Sequence, residues 1–153
     1  MNYTFNNSSI VSVNSGTIVL NVSGKTRTFV DAKLVSAVDG NIVLDLHAPI
    51  YNKGNYLVID LGNSNYRIFI VQKRMEQIVT YHVSEINHGL VYNADWSLIP
   101  EDPIRNATPE EIQELNDQLA AEGKCWNPDT MQIEKLRWKP VKGQTYYYVA
   151  LEV

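Results

Sequence analysis

The groups best equipped for chemistry in this chain are three histidines, one cysteine and a carboxylate-rich stretch: His47, His82, His88, Cys125, and Glu110, Glu111 and Glu114. His82, His88 and Asp95 supply two imidazoles and a carboxylate, the ligand types of a transition-metal site, but their spacing follows none of the compact patterns such sites use. All three histidines are therefore expected on solvent-facing strands and turns, with no metal. Cys125 follows Lys124, and a neighbouring cation favours a thiolate. The helix that ends just before it presents the negative end of its dipole, which opposes that effect. Cys125 is expected as a small, partly buried residue at a helix–strand joint. Glu110 and Glu114 are neighbours at i, i+4, yet acid–base catalysis needs carboxylates in a cleft with shifted pKa values. These carboxylates are expected on the exposed helix face, where solvation, capping and the dipole account for them. GxSxG, P-loop, GxGxxG, HExxH and paired-cysteine motifs are absent from the sequence. No catalytic residue and no cofactor are assigned, and the chain reads as a binding protein rather than an enzyme.

Aromatic side chains crowd the last third. Trp126, Trp138, Tyr146, Tyr147 and Tyr148 alternate with Lys124, Lys135, Arg137, Lys139 and Lys142. Rings that stack on bases beside cations that track phosphates make a single-stranded nucleic acid platform. A small sheet packed on a helix also needs large rings, and strand alternation places Tyr146 and Tyr148 on one face and Tyr147 on the other. Core or protein interface is the preferred reading. The candidate contact surface is Trp126, Arg137, Trp138, Lys139, Tyr146, Tyr147 and Tyr148, since Trp and Tyr offer much area at low entropic cost.

The elements that must position these groups are mostly strands. The runs 17–22, 25–38, 41–48, 55–61, 66–72 and 77–86 are rich in Val, Ile, Thr, Tyr and Phe, with Gly- and Asn-bearing turns between them. Short β-prone runs every 8 to 12 residues predict an antiparallel meander in a sandwich or barrel. Asp39-Gly40 predicts a type I′ hairpin, because both central residues need positive φ. In the run from Ile42 to His47, the residues Ile42, Leu44 and Leu46 form one apolar face and Val43, Asp45 and His47 the wet one. Leu57–Leu61 and Arg67–Val71 are nearly continuous apolar runs, expected as central strands covered on both sides. The β-rich body is read as 1–100, followed by a stiff Pro-containing connector at 101–106.

Residues 107–153 read as a helix plus three short strands packed on that body. Thr108 is the predicted N-cap, Pro109 the first helical residue and Glu111 the partner in a capping box. Ile112, Leu115, Leu119 and Ala120 make the apolar stripe of an amphipathic helix at about 108–122, leaving Glu114 and Glu122 to solvent. Asn127-Pro128-Asp129-Thr130 predicts a turn within a hairpin. The fold class is mainly β with one helix, α+β by strict count.

With 153 residues, 44% hydrophobic and 20% charged, the chain can bury an ordinary core. Its net charge of −4 is concentrated in residues 101–153, where ten acidic residues face six basic ones. Bulk nucleic acid binding needs a basic footprint and is disfavoured. No run reaches the length of a membrane span, and the start lacks the pattern of a secretory signal. Synthesis in a host cytoplasm, with a place in a virion as one outcome, is the expectation.

The run from Ile104 to Val149 resembles a C-terminal module of small proteins from tailed phages and prophages of gut bacteria. In that module an ATxEE helix leads into a GKxWN hairpin and then a WxPxxGxxYYY strand. Ala107–Glu111, Gly123–Asn127, Ile133-Glu134, Trp138-Lys139-Pro140, Gly143 and Tyr146–Tyr148 carry the likeness. The family has no established reaction, so the resemblance implies viral origin and assigns no catalytic residue. The expectation is a non-enzymatic phage or prophage protein that binds a protein partner or itself, such as an accessory virion component. A protein that sequesters a nucleotide signal in host defence evasion is the alternative, and a weak single-stranded nucleic acid binder the third.

Overall fold

The computed structural model describes residues 1–62, 65–75, 78–86, 89–97 and 103–136. The protein is mostly strand with one helix, as the sequence pattern predicts. Six strands occupy the first third: β1 (Asn2–Phe5), β2 (Ser8–Asn14), β3 (Thr17–Val22), β4 (Lys25–Phe29), β5 (Lys33–Val38) and β6 (Asn41–Asp45). They form two three-stranded antiparallel sheets, β1-β6-β5 and β2-β3-β4, packed on a shared core of Tyr3, Phe5, Ile18, Leu20, Phe29, Ile42 and Leu44. The expected apolar face of the run from Ile42 to Leu46 lies in this core, and Asp39 and Gly40 both take positive φ (51° and 79°). The run 25–38 is not one strand. Asp31 takes a φ of 51° and divides it into β4 and β5, a break that the β-prone composition of its neighbours conceals.

These six strands are two copies of one 24-residue unit. Thr4, Phe5, Val11, Ser12, Gly16, Ile18, Val19 and Leu20 recur as Thr28, Phe29, Val35, Ser36, Gly40, Ile42, Val43 and Leu44. The backbone repeats as well. Asn7 and Asp31 both have φ 51°, Ser15-Gly16 and Asp39-Gly40 make matching positive-φ turns, and register shifts fall at Ile10/Ser12 and at Leu34/Ser36. The first strand of each unit pairs with the third strand of the other: Phe5 lies opposite Ile42, and Phe29 opposite Ile18. The sandwich is thus an intertwined pseudo-dimer within one chain.

A five-stranded antiparallel sheet follows, in the order β10-β9-β8-β7-β11. Its strands are β7 (Tyr56–Gly62), β8 (Asn65–Met75), β9 (Ile78–Ile86), β10 (Gly89–Ser97) and β11 (Ile104–Asn106). The apolar runs in β7 and β8 are buried on both faces, as expected. Leu57, Ile59, Phe69 and Val71 belong to one core cluster, and Val58, Ile68 and Ile70 to another. Helix α1 (Pro109–Ala121) covers the second face with Leu115 and Leu119, and Trp126 joins them from the hairpin of β12 (Lys124–Asn127) and β13 (Gln132–Lys135). The capping box is formed in full: Glu111 N–H donates to the Thr108 hydroxyl, and the Glu111 carboxylate accepts from the Thr108 N–H. Part of the expected connector is itself a strand, since Ile104–Asn106 pairs with β7 and places Arg105 at the junction with the sandwich.

Candidate interaction surface

The sandwich has two seams where its sheets meet edge to edge, and they are treated in opposite ways. At the seam between β1 and β4 the Phe5 and Phe29 rings lie 4.9 Å apart. The Arg105 guanidinium sits over both, 5.4 Å from Phe5 and 5.3 Å from Phe29, so the duplicated phenylalanines straddle one cation brought by β11. Arg105 Nη1 and Nη2 each donate to Glu111 at 2.6 Å in a buried two-pronged ion pair. Arg27 Nε approaches the same carboxylate at 3.3 Å, and Arg27 Nη2 donates to Glu114 and to the Tyr66 hydroxyl at 3.0 Å each. The Tyr66 hydroxyl donates to Glu114 and accepts from Lys25 Nζ at 2.8 Å, which uses its full hydrogen-bonding capacity. Next to these, Glu110 accepts from the N–H and the hydroxyl of Thr28, covering the edge of β4.

The electrostatics follow from this geometry. Burial alone pushes the Glu111 carboxyl up, but the hydrogen bonds and charge of Arg105, with Thr108 and Arg27, hold it below the usual range. Glu110 is also held low: burial opposes ionisation, and the two bonds from Thr28 outweigh it. Burial and the bond to Glu114 raise the Tyr66 phenol, while the bond to Tyr66 raises Lys25. The expectation of exposed carboxylates is therefore corrected. Glu111 is 1% exposed, and Glu110 and Glu114 are partly covered, because the helix N-terminus is driven against β4 by the arginines opposite. A cleft of about 120 Å³ beside the clasp is lined by Thr4, Asn6, Lys25, Asp60 and Tyr66 among others. Its cations already face Glu111 and Glu114.

The second seam lies between β2 and β5. Ser8 N–H donates to the Gly40 carbonyl at 2.9 Å, and Ala32 N–H donates to the Gly16 carbonyl at 2.8 Å. These two bonds are exchanged by the 24-residue repeat. They join the start of each strand to the turn at the end of the other, so the two strands run in opposite directions and stand apart between the bonds, related by the pseudo-two-fold near Ser12 and Ser36. No ladder joins the strands between those bonds among the described residues. Every residue of β5 is exposed, and every residue of β2 except Ser8. Ile10 pairs with Leu20 and Leu34 with Leu44, so both point to the core side of their sheets, yet they stay 39% and 42% exposed. Val11, Val13, Val35 and Val38 are exposed by more than half. One charged side chain, Lys33, occurs in the two strands. The turn signals of this region were legible in the sequence, but the surface was not. The signal that exposes it is the 24-residue recurrence, which fixes the two bulged strands as equivalent edges.

The residues singled out from the sequence are distributed differently. Trp126 is 9% exposed and packs in the core under α1, with its ring 4.9 Å from the His82 imidazole. His82, expected in solvent, is corrected: it is 7% exposed in β9, and burial together with Lys53 lowers its pKa. Tyr81 and Val83 on either side of it in β9 belong to the two core clusters, and they hold this part of the strand inside. His47 is exposed, as expected, and Asp95 is exposed in β10. Cys125 is buried in β12, at the joint anticipated for it. Arg137, Trp138, Lys139, Tyr146, Tyr147 and Tyr148, the rest of the anticipated contact surface, lie outside the described residues, as does His88. Among the described residues no helix is long and apolar enough to cross a membrane. No protein-family model matches the chain, and neither does any curated protein or solved structure.

Proposed function

We propose that this protein acts by binding other protein surfaces through the β2/β5 seam, as a non-enzymatic accessory or assembly module of phage or prophage origin. The likeness of residues 107–148 to a phage module supports the origin. The observation that carries the binding role is the state of the two edge strands: rich in valine and serine, with Lys33 as their one charge, and open to solvent at every residue but Ser8. Isolated edges are normally blunted by charge, proline, bulges or a covering element; here the bulges at Val11 and Val35 turn the edges away from strand addition, but their side chains stay exposed, whereas the opposite seam of this same sandwich is covered. Small-ligand binding in the cleft has weaker support, since an anion there must compete with two carboxylates for the same cations.

A photo-crosslinking amino acid placed at Val11 or Val35, with Asp117 on the exposed helix face as control, tests the role in the bacterium that makes the protein. Covalent adducts at 11 and 35 and none at 117 are expected. An absence of adducts at both seam positions overturns it.

A further inference from the structure

We infer that the occupant of the β2/β5 seam is a second copy of this chain, packed face to face about a two-fold axis. This rests on the reading of the seam as a protein-binding face and names the partner. Three features converge on it.

The first is symmetry. An isologous contact requires one patch to complement itself under a two-fold rotation. The pseudo-two-fold already present in the seam makes β2 and β5 near-equivalent, so β2 of one copy meets β5 of the other, and β5 meets β2, with the same chemistry on both sides. Ile10, Val11 and Ser12 recur as Leu34, Val35 and Ser36, so each contact of one half is repeated in the other.

The second is charge. A chain carrying −4 repels its own copy in general, so a self-contact belongs where charge is absent. β2 has no charged side chain, and β5 has only Lys33 at its first position. The acidic residues are instead concentrated after residue 100, and Glu110, Glu111 and Glu114 among them face the opposite seam. A partner recognised by charge finds only Lys33 within these two strands, whereas a largely neutral face finds its like.

The third is area. Ile10, Val11, Val13, Leu34 and Val35 expose on the order of 400 Å² together, a sizeable patch for a monomer and about half of the roughly 800 Å² per partner of a standard interface. The bulges at Val11 and Val35 break both ladders at their centres. Bulged edges twist away from strand addition, so the copies meet through side chains rather than by extending a sheet.

Sedimentation and light scattering of the full chain from about 1 to about 100 μM test this. Twice the chain mass is expected at the upper concentrations, and the melting temperature should rise with concentration. Hydrogen exchange over 9–14 and 33–38 should slow at the high concentration. The double variant Val11→Lys with Val35→Lys should sediment as a monomer throughout, with an unchanged far-UV circular dichroism spectrum. If that variant does not fold, the exchange difference in the natural chain decides alone. A natural chain that stays monomeric, or shows no slowing at the seam, overturns the inference. Monomeric behaviour together with foreign adducts at Val11 and Val35 would leave the broader binding role standing, and monomeric behaviour with no adducts removes both.

Discussion

The two seams of the sandwich are built from equivalent strands of a duplicated unit, yet one is buried beneath a charged clasp and the other is open and neutral. The difference begins with single side chains. Tyr3 and Arg27 occupy the same place in the two repeats; Tyr3 donates to the Ile104 carbonyl at 2.6 Å, whereas Arg27 reaches Glu111, Glu114 and Tyr66. Duplication supplies two copies of a frame, and divergence at a few positions such as Tyr3 and Arg27 gives one edge to the second half of the chain. At β2 and β5 the exposed side chains are mostly valine and serine, with Lys33 as the one charge. What docks at a symmetric edge is decided by charge, since the backbone is the same on both sides.

The largest effect is expected from Glu111→Ala. It leaves Arg105 buried without its carboxylate, strips Arg27 of one of its two, and removes the capping box, at a cost of about 3–5 kcal/mol by urea unfolding. An effect under 1 kcal/mol would mean that the first seam is held by apolar contact alone, and the contrast between the seams would fail. Arg27→Ala should cost less, roughly 1.5–3 kcal/mol, because Glu111 keeps Arg105 and Glu114 keeps Lys25 and Tyr66.

Acid sharpens the same contrast. Glu110 and Glu111 are held below their ordinary values, so their contribution is complete above the unfolded carboxyl range and is lost as pH falls through the folded values. Urea unfolding from pH 7 toward pH 3 should show that loss, and Glu111→Gln should flatten the profile. His82 acts one step earlier. Its folded value lies below 6.5, so the unfolded chain takes up its proton first, and stability falls as pH drops below 6.5. His82→Leu should remove that part of the slope and leave the carboxyl part in place.

The smallest effects test the equivalence of the repeats. Gly16→Ala and Gly40→Ala place a Cβ at φ of 84° and 79° with no near clash at either position, so each should cost about 1 kcal/mol and the two should agree closely. A clear inequality would show that the two units do not share their turn energetics. At about 1 μM, where the single chain prevails, Val11→Lys should change stability by less than about 0.5 kcal/mol, since the side chain is solvated in one copy.

Much of the fold was legible because its causes are local. The capping box at Thr108 and Glu111, the Asp39-Gly40 turn and the doubly buried runs of β7 and β8 each follow from a few neighbouring residues. β1 and β2 were not read as strands: their Asn- and Ser-rich sequence has weak β propensity, and pairing with β6 and β3 overrides it. The exposed reading of Glu110, Glu111 and Glu114 failed for a related reason. A helix pattern shows which residues share a face, but not that Arg27 and Arg105 wait opposite that face. The open seam was missed because exposure of an apolar strand depends on what fails to cover it.

By itself, the sequence determined the strand-rich class, the limits of the single helix, the type of its turns and the doubly covered central strands, since propensity, periodicity and capping act over a few residues. The tertiary structure alone decided that strands 24 residues apart exchange partners, that a helix rich in glutamate faces two arginines, that His82 and Trp126 are interior, and that β2 and β5 stay bare. Those outcomes depend on contacts between residues up to about a hundred positions apart, whose partners are chosen by packing and charge once the chain has closed on itself.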